Sequence, residues 1–132
     1  MGNRALVIFY DNDRISPCVY LHWFGGEVPG LLGDLAVLMQ GRTGDAEYAA
    51  ARFLGLCHNK IDGNLSLGVY SNDLTAADLQ NQKLLEEMSP GDAGVVIVNT
   101  GDFSWNAYGG YLAEHEQGEE ADAQLSLIPG GA

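Results

Sequence analysis

The stretch AGVVIVNT, residues 93–100, most constrains what this chain can fold into. It is a short, continuous, β-branched apolar run closed by turn-forming residues on both sides, which is the pattern of a strand and too short for a helix. A strand needs partners, and four other segments qualify. GDFSWNAYGGY, residues 101–111, reads as its hairpin partner, with Phe103, Trp105 and Ala107 on one face. RALVIFYD, residues 4–11, has the same apolar character and reads as a buried strand; NDR is turn chemistry, and ISPCVYLHW, residues 15–23, reads as the second strand of a hairpin. Pro17 belongs at an edge or near the start of that strand. After the turn signal DGN, LSLGVYS at residues 65–71 alternates enough to be a further strand.

Helical spacing fills the intervals. Val28, Leu31, Leu32, Leu35, Leu38 and Met39 recur with the helical period, Pro29 suits a first turn and Gly41 an end. Ala46, Ala49, Ala50, Phe53, Leu54, Cys57 and Ile61 repeat the pattern behind Asp45, a predicted N-cap. A third helix is predicted over about residues 76–88, because Thr75 and Asp78 stand at capping-box spacing and Leu74 and Leu79 at hydrophobic-staple spacing. Ser89, Pro90 and Gly91 stop it. The reading is a single α+β domain over residues 1–112: a small mixed or antiparallel sheet packed by two or three helices on one face. Residues 113–132 lose periodicity, gain acids and read as an acidic, mobile tail.

Charge narrows the function. The 132 residues carry 6 Lys and Arg against 18 Asp and Glu, a formal net of -12. Residues 1–60 hold five of the bases and six of the acids, whereas residues 61–132 set Lys83 alone against twelve acids. Phosphate backbones and anionic lipids need the opposite sign on the contact face, so direct nucleic-acid or membrane binding is excluded and a basic partner is expected. The two cysteines, Cys18 and Cys57, have no zinc or thioredoxin spacing and favour a reduced compartment. No signal-like start or apolar stretch of membrane-crossing length is present, so the cytoplasm of a host bacterial cell is the expected location.

MGNRALVIF at the start, YLHWFGG at residues 20–26, LSLGV at 65–69 and GDAGVVIV at 91–98 together resemble a family of small uncharacterised proteins of bacteriophages, prophages and other mobile elements. The resemblance covers most of residues 1–112 and rests on the conjunction of the opening block with YLHWFGG. The third helix and the acidic tail depart from that pattern. The resemblance implies no activity and no catalytic residue.

The block YLHWFGGEVPG also raises a site question. On an extended strand Cys18, Tyr20, His22 and Phe24 share one face, and Val19, Leu21 and Trp23 the other. Cys18 and His22 then stand roughly 13 Å apart, too far to form a dyad or share a metal. Gly25 and Gly26 read as a corner between strand and helix, with a positive φ expected at Gly26. His22 and Trp23 are the candidate lining of a pocket. Phosphate-loop, GxSxG, HExxH and dinucleotide patterns are missing, and DND and DGN lack the spacing of a calcium loop. No cofactor or metal is expected.

The function expected is a non-enzymatic mobile-element accessory protein that binds and inhibits a host nucleic-acid-handling defence complex, anti-CRISPR-like, through an acidic, DNA-mimicking surface. Its expected partner is a basic host protein or ribonucleoprotein, met by Asp73, Asp78, Glu86, Glu87, Asp92, Asp102, Glu119 and Glu120. The alternative is a small enzyme or ligand-binding module with a pocket around His22 and Trp23.

Overall fold

The computed structural model describes residues 3–60 and 66–115. Five strands form one mixed sheet: β1 (Ala5–Tyr10), β2 (Cys18–Leu21), β3 (Leu67–Tyr70), β4 (Gly94–Asn99) and β5 (Trp105–Tyr108), in the order β3-β2-β1-β4-β5. The two most apolar runs of the sequence, β1 and β4, lie side by side in the centre and pair in parallel, Val7 opposite Val96. Every other pairing is antiparallel. The central pair is buried on both faces, and both runs are accordingly apolar at successive positions without alternation.

The turn between β1 and β2 is built on Asp11, whose carboxylate accepts from the N–H groups of Asp13 and Arg14 at 2.8 and 2.7 Å. Beyond it the ladder is interrupted at Ser16. This buried side chain accepts from the Phe9 N–H at 2.9 Å and donates to the Pro17 carbonyl at 2.8 Å. Pro17 lies just ahead of β2, where its missing N–H costs no ladder bond.

Two helices cover one face, α1 (Val28–Leu38) and α2 (Ala46–Lys60). The α1 stripe buries Val28, Leu31, Leu32 and Leu35, with Met39 at its end; Leu38, expected in the stripe, is exposed. Small residues Ala46, Ala49 and Ala50 bring α2 close to the sheet, so that Phe53 meets Phe9 edge-on at 5.5 Å between ring centroids. Asp45 caps α2 as expected, accepting from the Tyr48 N–H at 3.1 Å, and Asp11 reaches across to accept from the Ala46 N–H at 2.8 Å. Ile61, the last residue of the expected stripe, is outside the described residues.

The opposite face is finished differently. The predicted capping box is present, with Thr75 N–H donating to Asp78 at 2.9 Å and Asp78 N–H to the Thr75 hydroxyl at 3.2 Å. It starts only a 3-10 turn, Asp78–Gln80. Asn81 is extended, and its side chain accepts from the Leu84 N–H and restarts the chain as α3 (Gln82–Met88). The single helix predicted over 76–88 is therefore two short pieces, because Asn81 competes as an N-cap of its own. Leu79 and Leu85 from these pieces pack on Leu6, Ile8, Val95 and Ile97.

β5 is the expected hairpin partner of β4, with Trp105 and Ala107 buried on the α1–α2 side and Phe103 packed against the same cluster. The chain then makes a 3-10 turn, Tyr111–His115, that buries Leu112. Most of the expected acidic tail, including Glu119 and Glu120, falls outside the described residues. No helix among the described residues is long and apolar enough to cross a membrane.

Candidate functional site: an acidic and aromatic sheet face

β2 ends at Leu21, the chain bends through His22 and Trp23, and Phe24 takes the left-handed conformation at φ 68°. The positive φ expected at Gly26 thus belongs to Phe24. That residue turns back and packs against the α1–α2 core, not on the face of Cys18 and Tyr20 as strict alternation requires. Gly25 is needed for close approach: a Cβ there would lie 2.4 Å from the Asn3 carbonyl oxygen, to which the Gly25 N–H donates at 2.7 Å. Gly26 faces the Tyr111 hydroxyl, 3.0 Å from where a Cβ would sit. Burial, with the Asp92 and Glu27 carboxylates nearby, pushes the Tyr111 phenol up, so it stays protonated and donates to the Asn3 side chain.

His22 is half-buried and Trp23 is 48% exposed, their rings in edge contact at 4.4 Å. His22 Nδ1 shares a hydrogen bond of 2.7 Å with the Tyr20 hydroxyl, and the Tyr20 ring stacks on Tyr70 at 5.8 Å. Gly68 pairs with Tyr20, and a Cβ on it would lie within ordinary contact distance of both rings. Tyr20, His22, Ser66 and Leu67 line an open depression of about 340 Å³. Tyr20 and Tyr70 escape a sequence reading as a pair, because only the β2–β3 register brings them together.

The thiols are not nucleophiles near neutral pH. Cys18 and Cys57 are unpaired as a disulfide and buried in different clusters on opposite faces of the sheet. Burial pushes Cys57 up to about 12, and Cys18 rises for the same reason despite a hydrogen bond from Asn72. Among the described residues, no group of three His, Cys, Asp or Glu side chains is placed to hold a metal ion.

The carboxylates divide into two sets. In the first half, Arg14 pairs with Asp11, Asp45 and Glu47 at 3.2, 3.5 and 3.6 Å, Arg42 with Asp45 at 3.9 Å, and Lys60 with Asp34 at 3.7 Å. Arg52 donates to the Leu38 carbonyl at 2.6 Å. In the second half, Asp73, Asp78, Glu86 and Glu87 all sit on the segment that lies across the second sheet face. None of them makes an ion pair among the described residues; Asp78 is engaged by Thr75, and Glu86 accepts from Gln82 at 2.9 Å.

Two further expected contact residues are hydrogen-bonded within the chain. Asp92 is held by Arg4, whose Nε and backbone N–H donate at 2.9 and 3.1 Å, and the Arg4 guanidinium holds its carboxyl below the usual carboxylate range. Asp102 accepts from the Ser104 N–H at 2.9 Å and hydroxyl at 2.7 Å, which lowers it likewise and closes the β4–β5 turn.

These features define a class of molecule: a small α+β domain with one helix-covered face and one acidic, aromatic face. The chain matches no protein-family model, no curated protein and no solved structure.

Proposed function

We propose that this protein is a non-enzymatic accessory protein of a phage or other mobile element that binds and inhibits a host nucleic-acid-handling complex. The observation that carries the reading is the separation of the carboxylates. Four of the six first-half carboxylates, Asp11, Asp34, Asp45 and Glu47, are paired with Arg14, Arg42 or Lys60, whereas Asp73, Asp78, Glu86 and Glu87 lie on one segment with no ion-pair partner among the described residues. Such a layer presents negative charge to a Lys- and Arg-lined groove that otherwise holds phosphates. The buried, protonated thiols argue against thiol catalysis, and the resemblance to mobile-element proteins supplies the biological setting.

The test uses the full chain as bait in a bacterial host lysate, followed by purification of the captured protein and affinity measurements across a salt series with and without duplex DNA. Affinity that falls steeply with salt, displacement by DNA, and slower association for the variant carrying both Glu86→Lys and Glu87→Lys support the reading. Salt-independent binding that DNA does not displace overturns it.

A further inference from the structure

We propose that the outer edge of β3 is a strand-addition site for an extended, basic segment of the partner protein. This rests on the basic-partner reading above and names where, and in what conformation, that partner is met.

The register decides which backbone groups are offered. The His22 N–H donates to the Ser66 carbonyl at 3.1 Å, and Ser66 stands opposite His22 one step beyond the Leu21–Leu67 pair. In an antiparallel ladder hydrogen-bonded pairs alternate with non-bonded ones, so Gly68 and Tyr70 direct their N–H and C=O groups to β2. Leu67 and Val69 direct theirs outward. Among the described residues no strand pairs with that edge. Natural edges are guarded by charge, proline, a bulge or a covering element, and Leu67–Tyr70 has neither charge nor proline. The other edge strand, β5, packs against α3 and the Tyr111–His115 turn.

Both faces beside this edge are shaped for alternate side chains of an added strand. On the α2 side, Val69 is 52% exposed at the border of an apolar groove of about 280 Å³ lined by Pro17, Val19, Ala50, Ala51 and Leu54. Glu47, which also lines it, is held by Arg14 at 3.6 Å. An incoming residue opposite Val69 places its side chain in this groove. Its two neighbours fall on the other face, beside the Tyr70 ring, which is 49% exposed, stacked on Tyr20 and three residues before the unpaired carboxylate of Asp73. A guanidinium or ammonium there gains the ring face, and the surplus of negative charge on the chain favours a cation over an anion. The occupant is therefore an extended segment alternating apolar with cationic residues. A second copy of this chain would bring the same surplus of negative charge to that rim.

Three amidated hexapeptides serve as probes: RVRVRV, TVTVTV and EVEVEV, titrated into the ¹⁵N-labelled full chain. The expected result is saturable binding of RVRVRV with the largest amide shifts at Leu67 and Val69, weaker binding of TVTVTV and none of EVEVEV. Val69→Pro removes the outward N–H while sparing the ladder to β2, and weakens RVRVRV about tenfold or more. Tyr70→Ala weakens it roughly 3- to 10-fold. Ala51→Phe fills the groove from the exposed surface of α2 without changing any residue of β3, and also weakens it; melting temperatures check that each variant is folded. Shifts confined to residues 73–87, with Val69→Pro neutral, overturn the edge site while leaving the basic-partner reading standing. Equal affinity for RVRVRV and TVTVTV overturns the basic occupant, and no binding by any probe overturns the site.

Discussion

On one face of the sheet, α1 and α2 bury Phe53, Leu31, Leu35 and Met39 against Val7, Phe9, Val96 and Val98. On the other, a 3-10 turn and the seven-residue α3 hold Leu79 and Leu85 against Leu6, Ile8, Val95 and Ile97. Among the described residues the first cluster counts twenty-one buried members and the second seven, so most apolar burial, and with it most of the stabilisation, lies on the helix-paired face. The second face is left partly open over β2 and β3, with tyrosines and unpaired carboxylates at its surface. The two faces differ in closure: one is packed by two helices over the large cluster, and the other is covered by two short pieces and leaves tyrosines and carboxylates exposed.

The most severe challenge to that contrast is removal of a large side chain from each face in turn. Phe53→Ala is expected to cost about 3–5 kcal/mol in urea unfolding, and Leu85→Ala roughly 2–3 kcal/mol, since the smaller residue leaves a smaller cavity under a short helix with room to settle. Equal losses would show that the two clusters carry the fold equally. The corner feeding α1 gives the next effect. Gly25→Ala forces a Cβ onto the Asn3 carbonyl and is expected to cost about 1–3 kcal/mol, whereas Gly26→Ala asks only the Tyr111 side chain to shift and costs under about 1 kcal/mol. The reverse order in thermal melts would return the constraint to Gly26.

Asp11 tests the same face through pH. Burial raises its carboxyl, but the N–H groups of Ala46, Asp13 and Arg14, with the Arg14 guanidinium, outweigh that and hold it below the ordinary value. A carboxyl lowered in the folded state contributes stability that is present above its unfolded pKa and lost as pH falls through the folded one. Asp11→Asn is accordingly expected to cost about 1–2 kcal/mol near neutral pH, and the gap to the native protein should narrow in denaturation curves taken at progressively lower pH through the carboxylate range. A gap constant with pH would mean that the charge on Asp11 contributes nothing.

The smallest effect on stability is expected at the acidic layer proposed to meet the partner. Glu86→Lys with Glu87→Lys changes two exposed residues and removes only the exposed Gln82–Glu86 hydrogen bond on α3, so its unfolding free energy should stay within about 0.5 kcal/mol of the native value. A larger loss would mean that the acidic layer is structural after all.

Much of this was written locally in the chain. The runs ALVIFY and GVVIVN, the turn chemistry at Asp11, the caps at Asp45 and Thr75–Asp78 and the stripes of α1 and α2 depend on neighbours within a few residues, and so were legible from spacing alone. The surplus of acids in the second half was equally plain. Tertiary structure decided the rest, because it depends on groups far apart in sequence. Arg4 reaches Asp92, 88 residues away, and pairs with that carboxylate at 2.9 Å. Asn3 and Ala93 close on Gly25, which explains a glycine that local backbone geometry alone does not require. Asn81 breaks a helix whose capping box was correctly placed. The β2–β3 register sets Tyr20 against Tyr70 and turns the backbone of Val69 outward. Residue spacing specifies the period of an element and the start signals around it, but which strands become neighbours, which ions pair and which edge stays open are settled only when the layers pack.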